Sequence, residues 1–411
     1  MINKDESQRK VPKLRFKGFH DDWEQRKLGG LLEQHDQVVI GEQFPIATSS
    51  RKGLFLQSEY FDGKRAGDNE KMAFHVVPDG YVTYRLMSDD SIFHFNQNLT
   101  GSPILVSKEY PVFTAKSGTN IKFIVYNLNH SDSFAKFSHI QKKGGTRVRL
   151  YFKILNTYQI SIPKIEEQNQ IASFFAKLDK KMALHQRKLE LLKKLKQGYL
   201  QKLFPQDGQK IPQLRFPQFS GAWEQRKLDH ELVLLKDGTH GTHLDVKRGP
   251  YLLSAKNIKN GEVTISSNDR KISKAEFESI HKSFKLQEGD VLLTIVGSIG
   301  QSAVLHNPDN ITFQRSVAYL RPKKMSADFL RTIITSQSFQ HELLTRQVVS
   351  AQPGIYLGDL AKVPIIIPTS LVEMNNLSSL LKQLDEAIAL QQHRVELLNK
   401  FKHGYLQKLF I

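Results

Sequence analysis

The chain contains no cysteine, which excludes disulfides and thiolate metal sites and leaves the redox compartment open. No apolar run approaches the roughly 20 residues needed to cross a bilayer. The opening stretch, "MINKDESQRK", is polar and has no apolar signal core. A soluble cytoplasmic protein without a membrane partner is expected. The chain also lacks a Walker loop and a G-x-G-x-x-G fingerprint. "GSIG" from Gly297 reads as a tight turn rather than a phosphate cradle. "HGTH", with His240 and His243, lacks the further ligands a metal requires, and the 15 histidines form no cluster. Its Asp-x-Lys pairs have no Pro-Asp a short way upstream, which speaks against a nuclease. No cofactor is expected on this chain. Acidic residues are outnumbered, 41 against 59 Lys and Arg, for a formal charge of +18. The excess is spread along the sequence. It points to a polyanionic partner, most often nucleic acid, or more blandly to a solvated basic surface.

Tryptophan is nearly absent, and the two present occur in the same word. "VPKLRFKGFHDDWEQRKL" from Val11 is written again as "IPQLRFPQFSGAWEQRKL" from Ile211. A period this long indicates a duplicated domain rather than a solenoid unit. A second pair of segments agrees. "DKKMALHQRKLELLKKLKQGYLQKLF" from Asp179 matches "DEAIALQQHRVELLNKFKHGYLQKLF" from Asp385, and each follows a strand-like run ending at Pro163 or Pro368. In the first, Phe175, Leu178, Met182, His185, Leu189, Leu192, Lys196, Tyr199 and Leu203 step by threes and fours. In the second, Leu381, Leu384, Ile388, Gln391, Val395, Leu398, Lys402, Tyr405 and Leu409 do the same. That is a coiled-coil seam, with polar residues at matching places that can fix register; two separately packed amphipathic helices are the plainer alternative. "PQDGQK" after Phe204 is a short turn, so pairing requires the second helix to run back against the first. The expected fold is α+β: two mixed α/β domains and two long helices in an antiparallel coiled coil, with pseudo-two-fold symmetry. The expected boundaries are 11–163 and 211–368 for the domains, and 164–204 and 369–411 for the helices.

The framework repeats while the stretches between its pieces diverge. "GYVTYR" from Gly80 corresponds to "GDVLLT" from Gly289, and "GGTRVRLYFKIL" from Gly144 to "SAQPGIYLGDL" from Ser350, which sets Arg147 opposite Gln352. "IKFIVYNLNHSDSFAKF" and "SADFLRTIITSQSFQHELL" each read as a helical stretch. One architecture with two different faces suits the reading of two different things. The divergent loops carry the side chains that contact bases and phosphates. In the first domain these are Arg51, Arg85, Asn96, Gln97, Lys143, Thr146 and Arg147. In the second they are Lys236, Thr239, His240, Thr242, Ser298, Gln314, Arg315, Ser316 and Gln352. Each alone is more often a turn residue; the set carries the argument.

With these motifs the chain resembles a specificity subunit of a type I restriction–modification system. The resemblance rests on the paired "PKLRF…WEQRKL" and "PQLRF…WEQRKL", the junction "IPKIEEQNQIASFFAKLD" from Ile162, both helices ending "GYLQKLF", and "GDVLLTIVGSIG", "QRSVAYLRP" and "GGTRVRLYF". The second junction, "IPTSLVEMNNLSSLLKQLD", departs from the usual Glu-Gln pair with Met374 and Asn375. The resemblance implies a non-catalytic reader of double-stranded DNA, with each target recognition domain on one half of a split, asymmetric site. It implies helices that set the spacing and hold two methyltransferase subunits. S-adenosylmethionine would then sit on those partners, and ATP and magnesium on restriction subunits reached through the complex. The rival readings are a coiled-coil adaptor that reads no DNA, and a fused methyltransferase or nuclease.

Overall fold

A computed structural model describes residues 11–60, 71–142, 147–206, 208–282, 284–348 and 353–410. The chain divides into two compact units, one from the described residues of Met1–Gln186 and Arg394–Ile411, the other from Arg187–His393. The division cuts both long helices, Ile165–Leu203 and Leu371–Leu409. Each unit therefore holds the start of one helix and the end of the other.

The first unit is built on a four-stranded antiparallel sheet in the spatial order Leu32–Gln34, Val112–Ala115, Val82–Tyr84, Phe95–Gln97. The second unit repeats that order with Leu232–Asp237, Val317–Pro322, Val291–Thr294, Ser302–Val304. "GYVTYR" and "GDVLLT" are thus the same central strand. Such strands read as short β-branched and aromatic runs, and both central ones are fully buried.

Each stretch expected as one helix is two. Ile121–His130 is followed by Asp132–Ile140, and Ala327–Thr335 by Gln337–Thr345. The breaks fall at Ser131 and Ser336, which take extended backbone angles. Their hydroxyls accept from Phe134 N at 3.1 Å and Phe339 N at 3.4 Å. Serine competes well as a cap at a helix start and poorly inside one, so the apolar periodicity continues while the backbone turns.

The repeated "WEQRKL" is a joint. Glu24–Lys27 pairs antiparallel with Gln159–Ile162, and Glu224–Lys227 with Pro364–Ile367. The strand side chains are exposed while Trp23, Leu28, Trp223 and Leu228 at their ends are buried. In the first unit Trp23 packs edge-on to Phe123, which meets Phe410 from the end of the second helix. In the second unit Trp223 meets Phe204 from the end of the first helix. Leu14 N donates to Lys408 O, and Leu214 N to Lys202 O, each at 2.9 Å. The same motif receives a helix end by fold in one unit and by chain connection in the other.

The helices run antiparallel in both units. Lys402 reaches Asp179 at 2.7 Å in the first unit, and Lys196 reaches Asp385 at 2.5 Å in the second. These are the same two repeat positions with the helices exchanged. The seam residues Leu178, Met182, His185, Leu189, Leu192, Tyr199, Leu203, Leu384, Ile388, Gln391, Val395, Leu398, Tyr405 and Leu409 are all buried or half-buried. Gln391 is 2% exposed, so the polar seam position is enclosed.

The second junction keeps more of the Glu-Gln pair than its letters suggest. Arg15 forms a two-pronged pair with Glu167, at 2.7 Å for both contacts. Arg215 does the same with Glu373, at 2.7 and 2.8 Å. The glutamate is retained, and only Gln168 is exchanged, for Met374. Gln168 is buried, donating to Pro163 O and accepting from Asn120 N. Met374 fills the corresponding space as part of the apolar core.

Candidate nucleic-acid interface

In an antiparallel sheet the end of one strand lies beside the start of the next, so the loops at one end of each sheet gather. In the first unit this end carries a cleft of about 520 Å³, lined among others by Arg51, Lys52, Arg85, Asp89, His94 and Arg147. Three of the expected contact residues thus come from three separate segments. Arg51 sits at the tip of the hairpin formed by Ala47–Ser50 and Gly53–Leu56. Gly53 closes that tip with a φ of 132°, which disfavours side chains. Arg85 follows the central strand directly and is exposed. Arg147 precedes the short strand Val148–Arg149, which pairs with Met87–Ser88 in a register that sets Ser88 against Val148. One residue further on, Asp89 faces Arg147. Buried Tyr84 holds this segment through its hydroxyl, which donates to Leu150 O at 2.8 Å.

Two guanidinium groups in the cleft are already engaged. Arg51 pairs with Asp90, and Arg147 Nε donates to Asp89 Oδ1 at 2.8 Å. Asp90 also accepts from Ser88 Oγ and Ile92 N. The Arg51 guanidinium, helped by these bonds, holds the Asp90 carboxyl down to about 2. Burial, reinforced by Arg51, holds the His94 imidazole below its ordinary value. Arg85 has no hydrogen-bonded or charged partner among the described residues.

Other expected residues play supporting parts. Asn96 donates to Ser49 Oγ and Ser50 O, bracing the Arg51 hairpin from behind. Gln97 donates to Gly80 O at 2.6 Å, toward the opposite end of the central strand. Lys143, Thr146 and Gln352 lie outside the described residues.

In the second unit the loops at the equivalent end are laced by backbone bonds. Thr239 N donates to Phe313 O, Arg315 N to Thr239 O, Ile295 N to Ser316 O, and Gly297 N to Pro353 O. A Cβ on Gly238 would lie 2.2 Å from Phe313 O, so only glycine permits this approach. The two loops thereby bring Thr239, Gln314 and Arg315 together, with Ser298 on the neighbouring turn. Arg315 is exposed and its guanidinium has no partner among the described residues. His240 is bound to Asp237 at 2.6 Å, and His243 to Thr239 Oγ1 at 2.8 Å. Thr242 is exposed in the same loop. Lys236 lies 4.2 Å above the Phe284 ring, and Ser316 Oγ accepts from Ala255 N. Among the described residues no group of three or more His, Asp or Glu side chains could hold a metal ion.

The comparisons with known proteins bear on this geometry. A sequence profile described as "Type I restriction modification DNA specificity domain" matches residues 64–194 and 244–400. The chain belongs to that family. It is a specificity subunit, and the family is non-catalytic. The chain is similar to the type I restriction enzyme MjaVIII specificity subunit of Methanocaldococcus jannaschii, 25% identical over 304 residues, covering 70% of this chain and 68% of that one. It is also similar to the type I restriction enzyme EcoBI specificity subunit of Escherichia coli, 22% identical over 396 residues, covering 88% and 82%. In fold it is similar to the type I restriction–modification S subunit from M. genitalium, with a TM-score of 0.62 at 14% identity over 98% of this chain and 99% of that one.

Sequence reasoning missed two features of this specificity subunit. The first is the acidic pair Asp89–Asp90, of which Asp89 lines the cleft; its signal is the "SDDS" shortly after the central strand and Arg85. The second is an apolar stripe off the seam. Leu191 and Leu195 on the first helix are 57% and 46% exposed, and their repeat counterparts Leu397 and Phe401 are 39% and 57% exposed. Leu14, 38% exposed, lies beside Leu397 and Phe401 and extends that patch. Among the described residues no helix is long and apolar enough to cross a membrane.

Proposed function

We propose that the two divergent sheet ends each read one half of a bipartite, asymmetric DNA site. The reading takes 11–163 and 211–368 as target recognition domains, and 164–204 and 369–411 as the helices that set their spacing. Its main support is that one strand order recurs twice with different side chains at the same end: Arg51, Arg85 and Arg147 in one unit; Thr239, Gln314 and Arg315 in the other. Arginine forks suit guanine O6 and N7, and glutamine suits adenine N6 and N7, in the major groove. The charge of +18 would supply the phosphate attraction that makes such binding fall steeply with salt.

Type I systems associate a specificity chain with DNA and with methyltransferase and restriction subunits. The duplicated stripes of Leu191 and Leu195, and of Leu397 and Phe401, support docking of two copies of one methyltransferase partner. Exposed apolar stripes mark interaction sites, and a repeated stripe suits a repeated partner. S-adenosylmethionine, ATP and magnesium would then act on those partners. A domain exchange tests the reading. Replacing residues 30–160 with the corresponding stretch of a chain that reads another site should change one half of the methylated motif and leave the other. A change in both halves, detected by methylome sequencing, would defeat modular reading.

A further inference from the structure

We propose that Asp89 and Asp90 are specificity-determining positioning residues, which hold Arg147 and Arg51 as base readers and leave Arg85 to the phosphate backbone. The inference rests on the reading that this cleft faces DNA. Its ground is the unequal treatment of three neighbouring arginines. Among the described residues Arg147 is bound through Nε alone, and neither terminal nitrogen of its fork has a partner there. Those two N–H groups form the edge that fits guanine O6 and N7 together. A guanidinium tethered at Nε cannot swing freely on its stem, so less rotamer entropy is lost when it meets a base. The tether is also set by backbone, because the strand pair of Ser88 with Val148 carries Asp89 opposite Arg147. Asp90 is fixed in turn by Ser88 Oγ and Ile92 N, so the hairpin tip bearing Arg51 is tied to the same turn.

The carboxylates have a second effect. A free arginine near DNA is drawn to phosphate oxygens, which carry no sequence information. An arginine already paired with a carboxylate has little net charge to spend there, while its remaining donors stay available to uncharged base edges. Arg85, exposed and without a partner among the described residues, has the opposite character.

The test uses the full chain and a pool of duplexes with a randomised centre, from which bound sequences are selected and then titrated against salt. Asp89→Asn and Asp90→Asn should lower the preference at the base pairs read in the first half-site by about tenfold. They should also steepen the log–log salt slope by up to about 0.9 for each arginine released. The second half-site should be selected as before, which certifies folding. Asp89→Glu, which restores the carboxylate, should recover most of the preference. Arg85→Ala should flatten the slope by about 0.9 and weaken all sequences alike, while Arg147→Ala should erase a base preference with little change in slope.

Retention of first-half-site preference in both Asn variants would overturn the inference, as would an equal loss at both half-sites. If Arg51→Ala, Arg85→Ala and Arg147→Ala all bind and select like the parent chain, the cleft is not a DNA site and the underlying reading falls as well. Active arginines with silent aspartates sink the positioning role alone.

Discussion

Glu167 and Glu373 are each 1% exposed, and each faces a guanidinium that is about 15% exposed or less. A carboxylate so placed loses its hydration and is stabilised only because Arg15 or Arg215 meets both its oxygens. The two pairs tie the repeated "LRF" motif to the start of each long helix, which explains why arginine stands at the same place in both copies. Removing one partner strands the other charge. Glu167→Ala should therefore cost about 3 kcal/mol of stability, read as a shift in the denaturant midpoint of the full chain. The double change Arg15→Met with Glu167→Leu should cost much less, because no buried charge remains. Equal losses in the single and double variants would show that the pair matters only for its packing.

At the scale of elements, the short helix Lys274–Ile280 ends in a titratable cap. His281 is buried, its ring 4.3 Å from that of Phe277, and Nδ1 donates to Phe277 O at 2.9 Å. Burial holds the imidazole below its ordinary value of 6.5; Lys285 adds to the effect and the bond to Phe277 O opposes it. Below pH 6.5 the unfolded chain takes up a proton that the folded chain resists, so folding stability falls as pH drops through this range. The fall ends once the folded imidazole is itself protonated. Thermal melts of the full chain between pH 7 and 5 should show this loss, and His281→Gln should reduce the slope. An unchanged slope in that variant would assign the acid sensitivity to other groups.

Over the whole molecule, the two helices are equal in length, 39 residues each, or about 58 Å at 1.5 Å per residue. If they act as the proposed spacer, deleting one heptad from each at facing positions keeps the seam in phase. It removes about 10 Å of rod, close to three base pairs at ~3.4 Å each. Three base pairs also turn the duplex by roughly 100°, at about 10.5 pairs per turn. Recognition should be lost, or move to a new spacer length with both half-sites unchanged, as read by selection from the randomised pool. A paired deletion that folds and keeps the original spacer would separate the helices from the spacing. Deletion from one helix only should set Met182, Leu189 and Leu192 out of step with Ile388, Val395 and Leu398 and damage folding.

The duplication, the antiparallel helices, the polar seam positions and the shared central strand were all legible in the sequence, because each depends on spacing along one chain. The pairing of "EQRK" with the strands before Pro163 and Pro368 was not, since those partners lie far apart in sequence. The helix breaks at Ser131 and Ser336 were hidden by apolar periodicity that runs on through a capped turn. Arg51, Arg85 and Arg147 could be named as basic loop residues, but sequence could not bring them to one cleft or set Gln97 to work at the other end of its strand. Nothing in the composition set Asp89 and Asp90 apart from the chain's 41 acidic residues. Only strand register, fixed by the backbone bonds of Met87–Ser88 with Val148–Arg149, put a carboxylate opposite a guanidinium. Local pattern determined which elements form, because it is set by neighbours on the chain; which side chains meet was decided by long-range pairing, whose register no local pattern contains.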